Sequence, residues 1–184
     1  SEDLLDNTDY DVYVVSQFEE ESDITEFQDE IDDDTGVVYA DSWAISSTNS
    51  LNALVDETGD PAETDNGAFD DGDVTLELTA DHPLFEGVGE AGDVITHMDG
   101  DVGSTDRRWF GGYEGGDSIA DISVSGDDEV DGAGIGVSDD GSEVILASHA
   151  RWSSSFTPDE AFTDESNQIV FNAIEYVASD DGDS

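Results

Sequence analysis

Val12-Tyr13-Val14-Val15 and Val37-Val38-Tyr39-Ala40 are two short apolar runs, and the fold turns on what lies between and after them. Both are bounded by turn residues and rich in Val, the pattern of strands buried on both faces. Between them, Ser22 is placed to cap a short helix with Ile24, Phe27 and Ile31 on one face. Asp32-Asp33-Asp34-Thr35-Gly36 reads as the turn into the second run. After Asp41-Ser42-Trp43 a second helix is predicted, with Leu51, Leu54 and Val55 inward and Gly59 at its C-terminal end. Strand, helix, strand, helix is the alternation that builds a parallel sheet covered on both faces.

Further along, the pattern changes. Residues 60–73 read as loop. Val74, Leu76 and Leu78 alternate with Thr75, Glu77 and Thr79, which predicts a half-exposed strand. Residues 94–97 and 119–124 are shorter strand candidates, and 107–116 is a loop rich in Gly and aromatics. Residues 133–138 and 143–148 flank Asp139-Asp140-Gly141, a hairpin signal. Thr157-Pro158-Asp159-Glu160 has the form of a capping box for the last helix, whose apolar face is Ile169, Val170, Ala173, Ile174 and Val177. Residues 179–184 read as an acidic tail, and the whole of 1–184 as a single α/β domain.

Charge narrows the function classes. The 184 residues hold 50 Asp plus Glu against three Arg and no Lys, a net charge of −47. Recognition of nucleic acid through a basic surface is excluded, because phosphate neutralisation needs Lys and Arg. Attraction to anionic lipid fails for the same reason. With no Cys there is no disulfide, no thiolate zinc site and no cysteine nucleophile. No run of about 18 apolar residues is present to span a membrane. Only 35% of the chain is apolar, a composition that with this charge usually means disorder. The strand runs argue instead for a folded domain with an almost uniformly anionic surface. Such a surface repels itself in dilute buffer and is relieved by concentrated salt. The expected setting is therefore the concentrated salt of a salt-loving organism, at or outside the surface of its cells or in their cytoplasm. The abrupt start reads as that of a processed or excised piece.

Three segments then carry a family resemblance. They are Gly36-Val37-Val38-Tyr39-Ala40-Asp41-Ser42-Trp43 with the stretch from Leu54 to Thr58-Gly59-Asp60-Pro61; Asp81-His82-Pro83-Leu84-Phe85-Glu86-Gly87-Val88; and Ala147-Ser148 with Thr157-Pro158-Asp159-Glu160 and Asn172-Ala173-Ile174-Glu175-Tyr176. Together they resemble the class I glutamine-amidotransferase-like domains of the trehalose-utilisation (ThuA-like) type found in secreted and surface proteins of haloarchaea. The resemblance implies an α/β, flavodoxin-like three-layer sandwich, its sheet mostly parallel, with a C-terminal hairpin and helix. Two departures matter. The family's nucleophile is a Cys on a strand-to-helix elbow, and here there is none. Gly116-Asp117-Ser118-Ile119-Ala120 lacks the final Gly of a serine elbow. The family also places another strand and helix before the one at Val12.

Candidate sites follow from strand ends. Open α/β sheets bind ligands at the carboxyl ends of their strands. There Asp41, Ser42, Trp43, His149, Arg151 and Trp152 form a pocket candidate, with Trp faces for stacking and an Arg fork for a carboxylate or sugar. A hydrolase reading uses Ser42 or Ser148 as nucleophile, His149 as base and Asp164 as orienter. Adjacent Ser148 and His149 point to opposite faces of a strand, which counts against their pairing. Arg107, Arg108, Trp109 and Phe110 form a protein-contact candidate. His97 with Asp99 and Asp101 is a weak metal candidate, and His82 a weaker one. The calcium-loop look-alikes at 70–73 and 99–103 lack the spaced ligands, and Gly132-Ala133-Gly134-Ile135-Gly136 leads into a strand where a nucleotide motif needs a helix. No specific cofactor is expected, only loosely held Na⁺, K⁺, Mg²⁺ or Ca²⁺. The function expected is a non-catalytic structural or binding module of a cell-surface protein, its partners other protein chains or carbohydrate. The alternatives are a ThuA-like hydrolytic or sugar-active enzyme and a subunit of an envelope, filament or virus assembly.

Overall fold

The computed structural model describes residues 10–15, 21–32, 35–40, 54–55, 69–70, 72–101, 105–106, 109–113, 115–124, 132–148 and 159–179. Nine strands and two helices occur among them: β1 (Val12–Val15), α1 (Glu21–Glu30), β2 (Gly36–Tyr39), β3 (Phe69–Asp70), β4 (Val74–Leu78), β5 (Val94–Met98), β6 (Thr105–Asp106), β7 (Gly116–Val124), β8 (Gly132–Ser138), β9 (Glu143–Leu146) and α2 (Asp164–Ala178). Seven strands form one sheet in the order β1-β2-β9-β8-β7-β4-β5, and β3 pairs with β6 in a separate antiparallel ribbon.

The predicted flavodoxin-like sandwich with a mostly parallel sheet is not what forms. Only β1–β2 and β2–β9 are parallel; β9–β8, β8–β7, β7–β4 and β4–β5 are antiparallel. The reason lies in the connections. A parallel pair needs a crossover of a dozen or more residues, usually a helix. From β4 to β9 the described connections carry no α-helix, only the single 3-10 turn Pro83–Phe85, so the strands return as neighbours running the other way. The β8–β9 hairpin is the clearest case: Gly141 adopts φ 75°, the left-handed conformation its turn requires.

Within that corrected topology the apolar pattern reads as expected in β2 and β4 but not in β1: the run predicted to be buried on both faces is an edge strand, paired on one side, and its Val14 is 50% exposed. β2 is buried along its whole length, and β4 buries Val74, Leu76 and Leu78 while exposing Glu77. One face of the sheet packs Val38, Leu76, Ile122, Ile135, Val144 and Leu146 against Ile169, Ala173 and Val177 of α2. The other face packs Val37, Tyr39 and Ile145 against Phe27 of α1, with Leu54, Val55, Phe110 and Tyr113. Val55 forms an antiparallel bridge with Tyr113, so the described part of the predicted second helix is a turn and a bridge that still faces inward. The last helix starts later than Thr157-Pro158 suggested. Its N-cap is Thr163, whose hydroxyl accepts from Ser166 N–H at 3.1 Å, and Asp164 and Glu165 occupy the first turn, where carboxylates suit the helix dipole.

The sheet curls around α2. β5 and β9 are four positions apart in the sheet, about 19 Å if it were flat. Yet the His97 ring of β5 meets the carbonyl of Ser148, just past β9, at 3.0 Å. The C-terminal end of α2 meets the start of β2 at Gly36, where a Cβ would fall on the backbone carbonyl of Val177. Gly36→Ala is therefore expected to destabilise by about 2–3 kcal/mol, as overpacking against an unyielding backbone does. Urea unfolding in concentrated KCl reads this directly, and an unchanged midpoint would show that α2 moves aside.

Candidate functional site

The two ends of the parallel segment carry different chemistry. At the carboxyl end, β2 and β9 run together toward Ala40 and Ser148. β5 reaches the same end and brings His97, which is fully buried. The His97 Nε2 to Ser148 carbonyl contact joins two strand ends that are 51 residues apart in the chain. The His97 ring packs edge-on against Phe162, and its backbone carbonyl accepts from Thr163 N–H, which ties this corner to the N-terminus of α2. Ser148 takes φ 60°, the sole non-glycine residue in the left-handed region among those described, and is 2% exposed. That conformation costs a residue with a Cβ about 1 kcal/mol or more.

At the opposite end, the amino ends of β2 and β9, three elements converge on Glu143. Oε1 accepts from Gln28 Nε2 of α1 at 3.0 Å and from the Tyr39 hydroxyl of β2 at 3.1 Å. Oε2 accepts from the Tyr113 hydroxyl at 2.8 Å. Burial first, and then the Glu143 charge beside them, push both phenols well above their ordinary value, so each remains a donor. The adjoining hairpin turn is tied in the same way. Asp140 Oδ1 accepts from Ser138 Oγ and Ser142 Oγ at 2.7 Å and from Ser142 N–H at 3.0 Å, and these bonds hold its carboxyl below the usual range. A cleft of about 320 Å³ lies here, lined by Tyr113, Gly115, Ser138, Asp139, Asp140, Ser142 and Glu143. A smaller one of about 140 Å³ lies on the other side of Glu143, beside Gln28, Ile31, Asp32 and Thr35.

No protein-family model, curated protein or solved structure matches this chain. Of the pocket candidates, Asp41, Ser42, Trp43, His149, Arg151 and Trp152 all lie outside the described residues, as do Arg107 and Arg108. The strands before 41–43 and 149–152, β2 and β9, are described and run side by side in parallel. Phe110 of the contact candidate is fully buried and bridges Ala133, while Trp109 is half-buried and lies near Gly132. Asp164 sits exposed in the first turn of α2.

The metal candidate is taken apart in a similar way. His97 is spent on the Ser148 carbonyl, and Asp99 Oδ1 accepts from Asp101 N–H at 2.8 Å. No group of three or more His, Asp or Glu side chains is placed to hold a metal ion among the described residues. His82 caps the Pro83–Phe85 turn, its Nδ1 accepting from Leu84 N–H at 3.2 Å. No helix among the described residues is long and apolar enough to cross a membrane.

Sequence reasoning missed the Glu143 cluster entirely. One signal was present: an acid opens the otherwise apolar run Val144-Ile145-Leu146-Ala147 directly after a turn. Its partners stand 115, 104 and 30 residues away, so nothing local announced them.

Proposed function

We propose that this chain is a non-catalytic structural or binding module of an extracellular or cell-surface protein that works in concentrated salt. The observation that carries the reading is the balance of 50 acidic residues against three Arg, in a chain that still buries an apolar core on both faces of a sheet. Nucleic acid and anionic membranes repel such a surface, which leaves protein chains, carbohydrate and hydrated cations as its partners. The Glu143 and Asp140 carboxylates support the non-catalytic part. Glu143 accepts on both oxygens from donors of its own chain, and the three bonds to Asp140 Oδ1 hold that carboxyl below the usual range, which makes Asp140 a weak base toward a substrate.

The second reading, a hydrolytic or sugar-active enzyme, draws on one observation: a strained serine at a strand end, where strain tends to be kept for a purpose. Against it stands the burial of Ser148. Light scattering after size-exclusion chromatography, from low salt to about 3 M KCl, tests the two together with turnover assays on the same fractions. The module reading expects a defined mass in high salt and no hydrolysis of glycosides, esters or glutamine. Turnover that vanishes in His149→Ala would overturn it.

A further inference from the structure

We propose that His82 is an acid-released latch: its neutral ring holds the Pro83–Phe85 turn against α2, and protonation lets that turn go. The latch turns on one hydrogen bond. Leu84 N–H donates to His82 Nδ1 at 3.2 Å, so Nδ1 must present a lone pair and not a proton. An imidazolium carries a proton on both nitrogens, and the cap is lost at the moment of protonation.

What the cap holds is substantial. Leu84 and Phe85 are buried in the same core as Ile169 and Ala173 of α2. Asn172 of α2 donates through Nδ2 to the carbonyls of both Leu84 and Glu86 at 2.9 Å, and its Oδ1 is engaged by Gln168. The His82 ring itself lies against Tyr176, centroids 4.9 Å apart, and against Phe85 at 6.4 Å. One ring thus touches both the turn and the helix that the turn packs on.

The groups around the ring leave it free to act alone. From α2 the titratable group against it is the Tyr176 phenol. On its own segment Asp81 and Glu86 flank it: the Asp81 carboxylate is engaged by Ala91 N–H at 3.0 Å, and Glu86 is exposed. Burial is what lowers the proton affinity of His82 below its ordinary value. The diffuse anionic field of so acidic a chain would favour a proton on the ring, and concentrated salt removes that field. A group whose folded value is depressed gives stability that is present above its unfolded value and lost as the pH falls through the folded one. The latch is therefore closed at neutral pH and opens as the pH falls below the ordinary histidine range.

The test is NMR in about 3 M KCl, following the His82 ring and the exchange of the Leu84 amide from about pH 7.5 to about pH 4.5. After correction for intrinsic exchange, Leu84 protection is expected to fall at least tenfold, with the same midpoint as the ring. His82→Asn supplies a cap that does not titrate, and the step is expected to vanish in it. Protection that stays constant while the ring titrates would overturn the latch. So would a ring still neutral at the acid limit, or the same step in His82→Asn.

Discussion

Glu143→Ala is expected to lower the unfolding free energy by about 4 kcal/mol, since it leaves two buried phenol donors without an acceptor and each such group costs about 1–3 kcal/mol. Tyr39 is 1% exposed, so water does not readily replace the carboxylate there, whereas Tyr113, 9% exposed, borders the cleft and recovers part of its bond from solvent. Gln28 is half-buried and recovers part of its bond from solvent. The effect reaches beyond one contact because the donors sit on three elements: α1, β2 and the segment that bridges Val55. Loss of Glu143 unpins the layer formed by Phe27, Val55 and Tyr113 from the sheet. Glu143→Gln separates charge from shape. Its oxygen still accepts and the Tyr113 hydroxyl has lone pairs to accept the new N–H, so a loss of about 1 kcal/mol is expected, the difference between charged and neutral hydrogen bonds. Urea unfolding of both variants in concentrated KCl reads the two values. An Ala variant within about 1 kcal/mol of the parent would mean that the phenols find other partners. The alkaline limb follows from the same geometry. Both phenols have raised folded values, so their contribution is complete below the ordinary value of 10.0 and is lost as the pH climbs toward the folded ones. Tyr113→Phe is expected to flatten that limb.

This cluster also marks how far the sequence could be read. Val37, Val38 and Ile145 announced strands buried on both faces, and they are. Val74, Leu76 and Leu78 announced one buried face, and Ile169, Ala173 and Val177 the buried stripe of a helix. Each is a property of a single element, set by periodicity and visible within a few residues. Strand direction is not local. The run of β9 looks the same whether its neighbour is β2, parallel, or β8, antiparallel. The hairpin signal at Asp140-Gly141 identifies one antiparallel pair, but the strand-helix-strand alternation of the N-terminal segment, which does give the parallel β1–β2 pair, does not extend to the whole sheet. The correction lies in the connections from β4 to β9, which hold no α-helix among the described residues. The site followed the same division. The residues predicted at the strand ends lie outside the described residues, whereas Glu143 needed knowledge of which strands are neighbours before Tyr39 and Tyr113 came within reach.

Withdrawal of salt is the other large effect: in dilute buffer the circular dichroism of the folded chain is expected to disappear, and in about 3 M KCl to return. Two carboxylates about 10 Å apart repel by about 0.4 kcal/mol in unscreened water. At about 0.1 M salt the Debye length is about 10 Å and roughly a third of that remains; at about 1 M it is about 3 Å and only a few per cent remains. Fifty acidic residues on one small surface make on the order of a hundred such pairs, so the repulsion at low salt is on the order of 10 kcal/mol. That equals the whole stability of an ordinary domain, about 5–15 kcal/mol. With three Arg in the chain, attraction offsets little of it. Glu77 and Asp121 give the effect a local gauge. They stand directly opposite each other across β4 and β7, and burial first, then the Glu77 charge, raise the Asp121 carboxyl. Asp121→Asn is expected to stabilise by about 0.5 kcal/mol at moderate salt, the size of a like-charge cross-strand pair. In saturating KCl the gain should shrink toward the part that burial alone causes. A gain that stays constant with salt would mean that burial, not repulsion, sets the cost at this pair. A chain fully folded in dilute buffer would mean that its core outweighs the charge, and the acidic surface would then need a reason other than salt.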